Sequence, residues 1–244
     1  MGIVESIVRE ITQEIEPLGE GSFGEVIIDR RLFEVLPLEE FLAPEPDVFE
    51  DERALVGQTD SNLLGAYIMM RSPGQVILFK ENIRMFFWGL VAKVLPNIQA
   101  VTKTDLVAGA RLVTLKTYFH ELFHFDCDIQ RRLFGSYHER IKEEAFAVAW
   151  SRRKLIEERQ KWQGQIGRMT GVFYHQLMSE AFNYRSQGYK DWPLYGDDAS
   201  FKEAFTEYVK PGNYRALRAS GIAVEELVFT MLGTARSGFI EKVL

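Results

Sequence analysis

The residues best suited to chemistry lie in one stretch, Tyr118-Phe-His-Glu-Leu-Phe-His-Phe-Asp-Cys-Asp128. Within it, His120-Glu121-Leu122-Phe123-His124 sets two imidazoles four residues apart. On a helix such residues stand one above the other on one face, so both rings can reach a single zinc ion. Glu121 is rotated about 100° round the axis, beside the same ion, where it can take a proton from an attacking water. Leu115, Tyr118, Leu122, Phe125, Ile129 and Leu133 fall on the side away from the imidazoles and are expected to be the packed side. The histidine side carries Val113, Thr117, Cys127 and Asp128, smaller or polar groups suited to the floor of a cleft. The bland alternative is a pair of satisfied histidines on an amphipathic helix.

A catalytic zinc site usually has three protein ligands and one open position. Candidates for the third ligand are Asp126, Cys127, Asp128, His138, Glu143, Glu144 and His175. Asp126 and Cys127 are too near His124 in sequence to reach round the same ion without breaking the helix. His138, in an expected turn after Gly135, stays open. Glu144 is favoured because it begins Glu144-Ala-Phe-Ala147 on the next helix, and an antiparallel helical hairpin brings it back over the histidines. Ala145, Ala147 and Ala149 permit the close approach that such a bond across two helices requires. Glu143, about 100° away on the helix, is expected to face water.

A HExxH helix followed by a glutamate opening an ExxA-type helix resembles the gluzincin zinc metallopeptidases over roughly residues 65–155. The resemblance implies Zn²⁺ held by His120, His124 and Glu144, with Glu121 as general base. It implies a zinc-dependent endopeptidase with a protein or peptide substrate, aligned along an edge strand formed by 75–79. It also implies a His or Tyr that stabilises the oxyanion, for which His175 and Tyr174 are the candidates. One position departs from the pattern: gluzincins often place an aspartate four residues after the glutamate ligand, where this chain has Val148. Asp128 or a main-chain carbonyl would then have to orient the imidazole. The metzincin extension is absent, since Cys127 and Gln130 stand where Gly and His are needed. A deformylase-like site would need an upstream cysteine, and Cys127 lies downstream. The competing expectation is a non-catalytic interaction protein with a structural or vestigial metal site.

These residues need elements to hold them. Residues 65–71 and 75–80 flank Ser72-Pro-Gly74 and read as a β-hairpin. Ile83, Phe86, Phe87, Leu90, Val91 and Val94 repeat every three or four residues up to Pro96, which predicts a helix. Helices are then expected over about 105–134, 139–160, 165–185, 199–209 and 222–232. The expected fold class is α+β: a small mixed lobe with a hairpin or sheet, packed on a mainly helical zincin-like domain. The expected divisions are an acidic segment at 1–60, a catalytic core at 61–160 and a helical subdomain at 161–244.

Charge is uneven along the 244 residues. Residues 1–60 carry a net charge of −12 and the remainder +6, which suggests an acidic cover over a more basic body whose removal should raise activity. Within this segment, 43–52 reads as an extended acidic linker. An overall net charge of −6 gives no concentrated basic face, so nucleic acid is not an expected partner. Gly19-Glu-Gly-Ser-Phe-Gly-Glu-Val26 matches the kinase phosphate loop, but no lysine precedes Lys80 and no catalytic-loop or metal-binding aspartate motif follows. A single cysteine, Cys127, fits a reducing compartment. With no apolar run near the roughly 20 residues of a membrane helix, a cytoplasmic protein without a membrane partner is expected.

Overall fold

The computed structural model describes residues 2–18, 64–68, 74–98, 100–134, 139–161, 166–209, 214–232 and 239–243. Its axis is a 32-residue helix, α3 (Lys103–Phe134), about 48 Å long at 1.5 Å per residue. The start of α3 is fixed by a reciprocal cap. The Thr102 hydroxyl and amide donate to Asp105 Oδ2 at 2.9 and 3.1 Å, and the Asp105 amide donates back to Thr102 Oγ1 at 3.0 Å. Asp105 Oδ1 also accepts the Thr170 amide at 2.6 Å, which ties in the start of α5 (Gly171–Ala181).

Helix α1 (Ile3–Ile15) and helix α2 (Lys80–Val94) lie against α3. The period of α1 buries Ile3, Ile7, Ile11 and Ile15 in the main core, beside Phe87, Leu90 and Val91 of α2, and Val8 is buried as well. Its acids face outward onto basic neighbours: Glu5 takes Arg111, Glu10 takes Lys80 at 3.0 Å, and Glu14 takes Arg84 at 3.0 Å and the Trp88 indole at 2.7 Å. Helix α4 (Arg140–Gln160) turns back along α3, and this pair forms the most extensive helix contact. A second core forms where Phe123 of α3 and Phe146 and Trp150 of α4 meet Phe201 and Phe205 of α6 (Asp198–Val209) and Val228 of α8 (Val224–Met231). The short α7 (Tyr214–Ala219) packs on α8, and a 3-10 segment, Tyr189–Tyr195, packs on α4.

The expected α+β class is corrected by the structure: the fold is mainly helical. Strands amount to β1 (Gly65–Ile68), β2 (Gly74–Leu78) and β3 (Phe239–Val243), each four or five residues long. They form a strip against α3, too small to make a layer or lobe. The hairpin pairing itself is present, with β1 antiparallel to β2 in the register Gly65↔Leu78. Strand β2, however, is central, because β3 returns from the far end of the chain and pairs with it in parallel. The stretch 75–79 therefore has no free edge to hold a substrate. Among the described residues the unpaired edges belong to β1 and β3, and of the two β1 is the one whose Gly65 lies against Glu121.

The expected orientation of α3 is also corrected. Val113, Thr117, Cys127 and Asp128, read as a cleft floor, are all buried, as are His120 and Glu121 beside them. On the side read as packed, only Phe125 is buried; Leu122 and Ile129 are half-buried and Leu133 is 63% exposed. The cause is tertiary: α4 closes over the histidine side, whereas on the other side Leu115 and Tyr118 lie at the margin of the main core and Leu122, Phe125 and Ile129 have Val76 of β2 as their cover. The glycine-rich loop 19–26, the linker 43–52 and His138 lie outside the described residues. Among those described, no helix is long and apolar enough to cross a membrane.

Candidate metal centre

The α3–α4 hairpin brings together the three residues that spacing singled out. The Nε2 atoms of His120 and His124 lie 3.2 Å apart, and Glu144 Oε2 sits 3.0 Å from the first and 3.3 Å from the second. One ligand atom from each of His120, His124 and Glu144 lies within 4.8 Å of the others, and all three residues are buried or nearly so. Two imidazole nitrogens and a carboxylate oxygen aimed at one point are a repelling arrangement unless a cation or shared protons lie between them. This group could hold a metal ion.

The titration behaviour carries the same tension. Burial would lower His124, but the Glu144 and Glu143 carboxylates raise it well above the usual imidazole value. Burial lowers His120, with Glu144 opposing. Burial would raise Glu144, but the His124 and His120 rings hold it well below the usual carboxylate range.

Glu143 does not face water. It is 1% exposed, and its Oε1 accepts the His124 Nδ1–H at 2.8 Å, while its other oxygen accepts from Arg131 and from the Tyr208 hydroxyl. With Nδ1 engaged in this way, Nε2 of His124 is left to face a metal. Asp128 does not orient an imidazole; it pairs with Arg131 and Arg132 at 3.8 and 3.3 Å. Val148 is fully buried core. The carboxylate that steadies His124 thus comes from the residue just before Glu144.

Glu121 is 7% exposed and lines a cavity of about 40 Å³ with Leu64, Gly65, Lys116, Thr117, His120, Tyr184 and Tyr189. Gly65 of β1 is pressed onto it. A Cβ there would come within 2.8 Å of Glu121 Cγ and of Thr117 Cγ2, so the close approach requires glycine. Tyr189 lies over His120, with ring centroids 5.5 Å apart and 21° between planes. Burial and the nearby Glu144 and Glu121 carboxylates raise its phenol well above the ordinary value, so it stays a proton donor. Lys116 stands one turn before His120, and burial pulls its amine down to about 7, with Glu121 opposing.

The structure does not bring Tyr174 and His175 to this cavity. They lie on α5 and line a separate pocket with Arg152, Arg159, Phe182 and Trp192. Tyr174 is buried under the Arg159 guanidinium at 4.7 Å, and His175 is exposed. The tyrosine at the site is Tyr189, which sequence reasoning missed because it follows a glycine break and belongs to no periodic helix. Lys116 was within reach of the sequence, since it precedes His120 by four residues and so shares its face. No protein-family model, no curated protein and no solved structure matches the chain.

Proposed function

We propose that the chain is a zinc-dependent hydrolase of peptide bonds. The observation that supports it is the convergence of His120, His124 and Glu144 with Glu121 on the wall of the adjoining cavity. Two imidazoles and one carboxylate suit zinc and leave a coordination position open. When bound there, zinc would supply a Lewis acid that acidifies water and polarises a carbonyl. Glu121 takes the proton of the attacking water as its oxygen bonds to the carbonyl carbon. It then passes that proton to the amine nitrogen as the C–N bond breaks. Tyr189 donates a hydrogen bond to the carbonyl oxygen as that oxygen gains negative charge. The outer edge of β1, which begins at Gly65 beside Glu121, offers backbone groups along which an extended peptide can lie.

The test is the Glu121→Gln variant. It is expected to keep one zinc per chain by elemental analysis and to lose roughly 10²–10⁴-fold in peptide cleavage, followed as new amines from a mixed peptide library. Undiminished cleavage would remove Glu121 from the reaction.

A second reading is favoured by the cavity's size. About 40 Å³ admits a few waters or a small group and no peptide, as in a protein whose metal is structural and whose role is to bind a partner. Stoichiometric zinc in the wild-type protein, a fourth protein ligand in its coordination shell and no cleavage of any library member would decide for that reading.

A further inference from the structure

Lys116 is the charged group at this site for which the proposed reaction has no use. Its side chain is 4% exposed, and its ammonium lies 4.7 Å from the ring centroid of Phe86, 5.0 Å from that of Tyr184 and 5.7 Å from that of Phe182. Among the described residues it makes neither a hydrogen bond nor an ion pair. It nevertheless lines the cavity that Glu121, His120 and Tyr189 share.

An ammonium removed from water loses its hydration, and desolvated cation–π contacts return only part of that loss. The aromatic cage therefore orients the ammonium without replacing its lost hydration in full. Glu121, a carboxylate lining the same cavity, favours the charged amine without forming an ion pair with it, so what would complete the ammonium is a ligand's anion at hydrogen-bond distance. The cavity of about 40 Å³ compares with the roughly 10–15 Å³ that one water needs, so the space suits a carboxylate group and excludes a bulky side chain. Lys116, His120 and His124 occupy successive turns of one face of α3, which sets Lys116 one turn from the histidine pair. Tyr184 and Tyr189 line the same space.

We propose that Lys116 forms an anion subsite that receives a substrate carboxylate next to the metal centre. The anion-binding claim stands by itself. The substrate class it implies, peptides with a carboxylate close to the bond cleaved, rests on the hydrolase reading. A terminal carboxylate and an acidic side chain present the same chemistry, and the probes below separate them.

The experiment is calorimetric titration of the full-length, metal-free protein with three probes: N-acetyl-glycyl-phenylalanine, its C-terminal amide, and N-acetyl-glycyl-glutamic acid amide. Metal-free protein is used so that a carboxylate cannot bind through zinc. The expected result is at least tenfold tighter binding of one or both carboxylate probes over the neutral amide. That preference should be lost in Lys116→Met and Lys116→Gln. Tight binding of the first probe alone identifies the peptide terminus, and tight binding of the third extends the subsite to acidic side chains. In the wild-type protein, the NMR signal of the Lys116 side chain should move with the acid probes and stay in place with the amide, a readout that needs no variant to fold. Equal binding of acid and amide, a preference kept by both variants, or an unmoved Lys116 signal would each overturn the subsite. Loss of the hydrolase reading through Glu121→Gln leaves these binding results intact, so the two failures are distinguishable.

Discussion

His124 has a carboxylate on each side of its ring: Glu143 on Nδ1 at 2.8 Å and Glu144 near Nε2 at 3.3 Å. The first fixes the ring, and the second shares the position a metal would fill. Glu143 is held in turn by Arg131 and Tyr208, so replacing it disturbs a buried network and not one contact. Glu143→Gln is expected to lower zinc affinity by about 10–100-fold with all three ligands in place, measured by competition with a chromogenic chelator. An unchanged affinity would make Glu143 a purely structural residue. The raised His124 value also sets a pH dependence. In the metal-free protein its charged form adds stability that is full below the unfolded value of about 6.5 and is lost as pH rises through the raised folded value. Glu144 acts oppositely: its stabilisation is present above about 4.5 and is lost as pH falls through its lowered folded value. Zinc must displace the His124 proton, so its affinity is expected to rise with pH across neutrality. Calorimetry in two buffers of different ionisation enthalpy should count protons released on binding; no release would contradict the assignment. The spacing of His120, Glu121 and His124 was legible because helical periodicity fixes which residues share a face. Glu143 was not legible, because two nitrogens on opposite sides of one ring let adjacent residues of α4 both serve it.

At the scale of elements, two glycines decide where the cavity walls stand. Gly188 has φ of +83°, and a Cβ there would come within 2.7 Å of the Ile141 carbonyl oxygen of α4. Its turn is closed by the Asp191 amide donating to the Gly188 carbonyl at 3.0 Å, and it delivers Tyr189 directly over His120. Gly188→Ala is expected to cost about 1–3 kcal/mol of stability, read from a urea transition. On the proposed hydrolase reading, displacement of Tyr189 is also expected to lower cleavage in fully folded protein while zinc content stays at that of the wild type. A variant with wild-type stability and turnover would show that the turn does not place the tyrosine. The sequence read this region as a break between helices, which is correct but silent about which ring the break carries. The same limit applies to the strands. The Pro-Gly hairpin was readable from local residues, whereas the partner that makes β2 central, β3, lies some 160 residues further along the chain. Local patterning holds no trace of such a pairing, so the edge was assigned to the wrong strand.

At the scale of the whole molecule, the acidic character of the first sixty residues suggested a cover, and α1 shows what that composition concealed. Its glutamates do meet basic partners on α2 and α3, but the helix also puts four isoleucines into the main core and buries a valine. At roughly 1.5–3 kcal/mol for each buried side chain, these five contribute a gross 7–15 kcal/mol, as large as the whole net stability of about 5–15 kcal/mol expected of a domain. Net charge registers only the solvent face of such a helix, whereas its apolar face has to be read from the Ile3, Ile7, Ile11, Ile15 period. Removing residues 2–18 is therefore expected to abolish cooperative unfolding and zinc binding together, and not to raise activity. The graded form of the same test is Ile11→Ala, which should destabilise by about 2–5 kcal/mol by urea denaturation. Since α1 packs against α3 on the core side while His120 and His124 face Glu144 of α4, that variant should keep whatever zinc affinity the wild-type protein has wherever it remains folded. A fall in zinc affinity matching its loss of stability would mean that the core and the metal centre form one cooperative unit, with α3 transmitting the damage from one to the other.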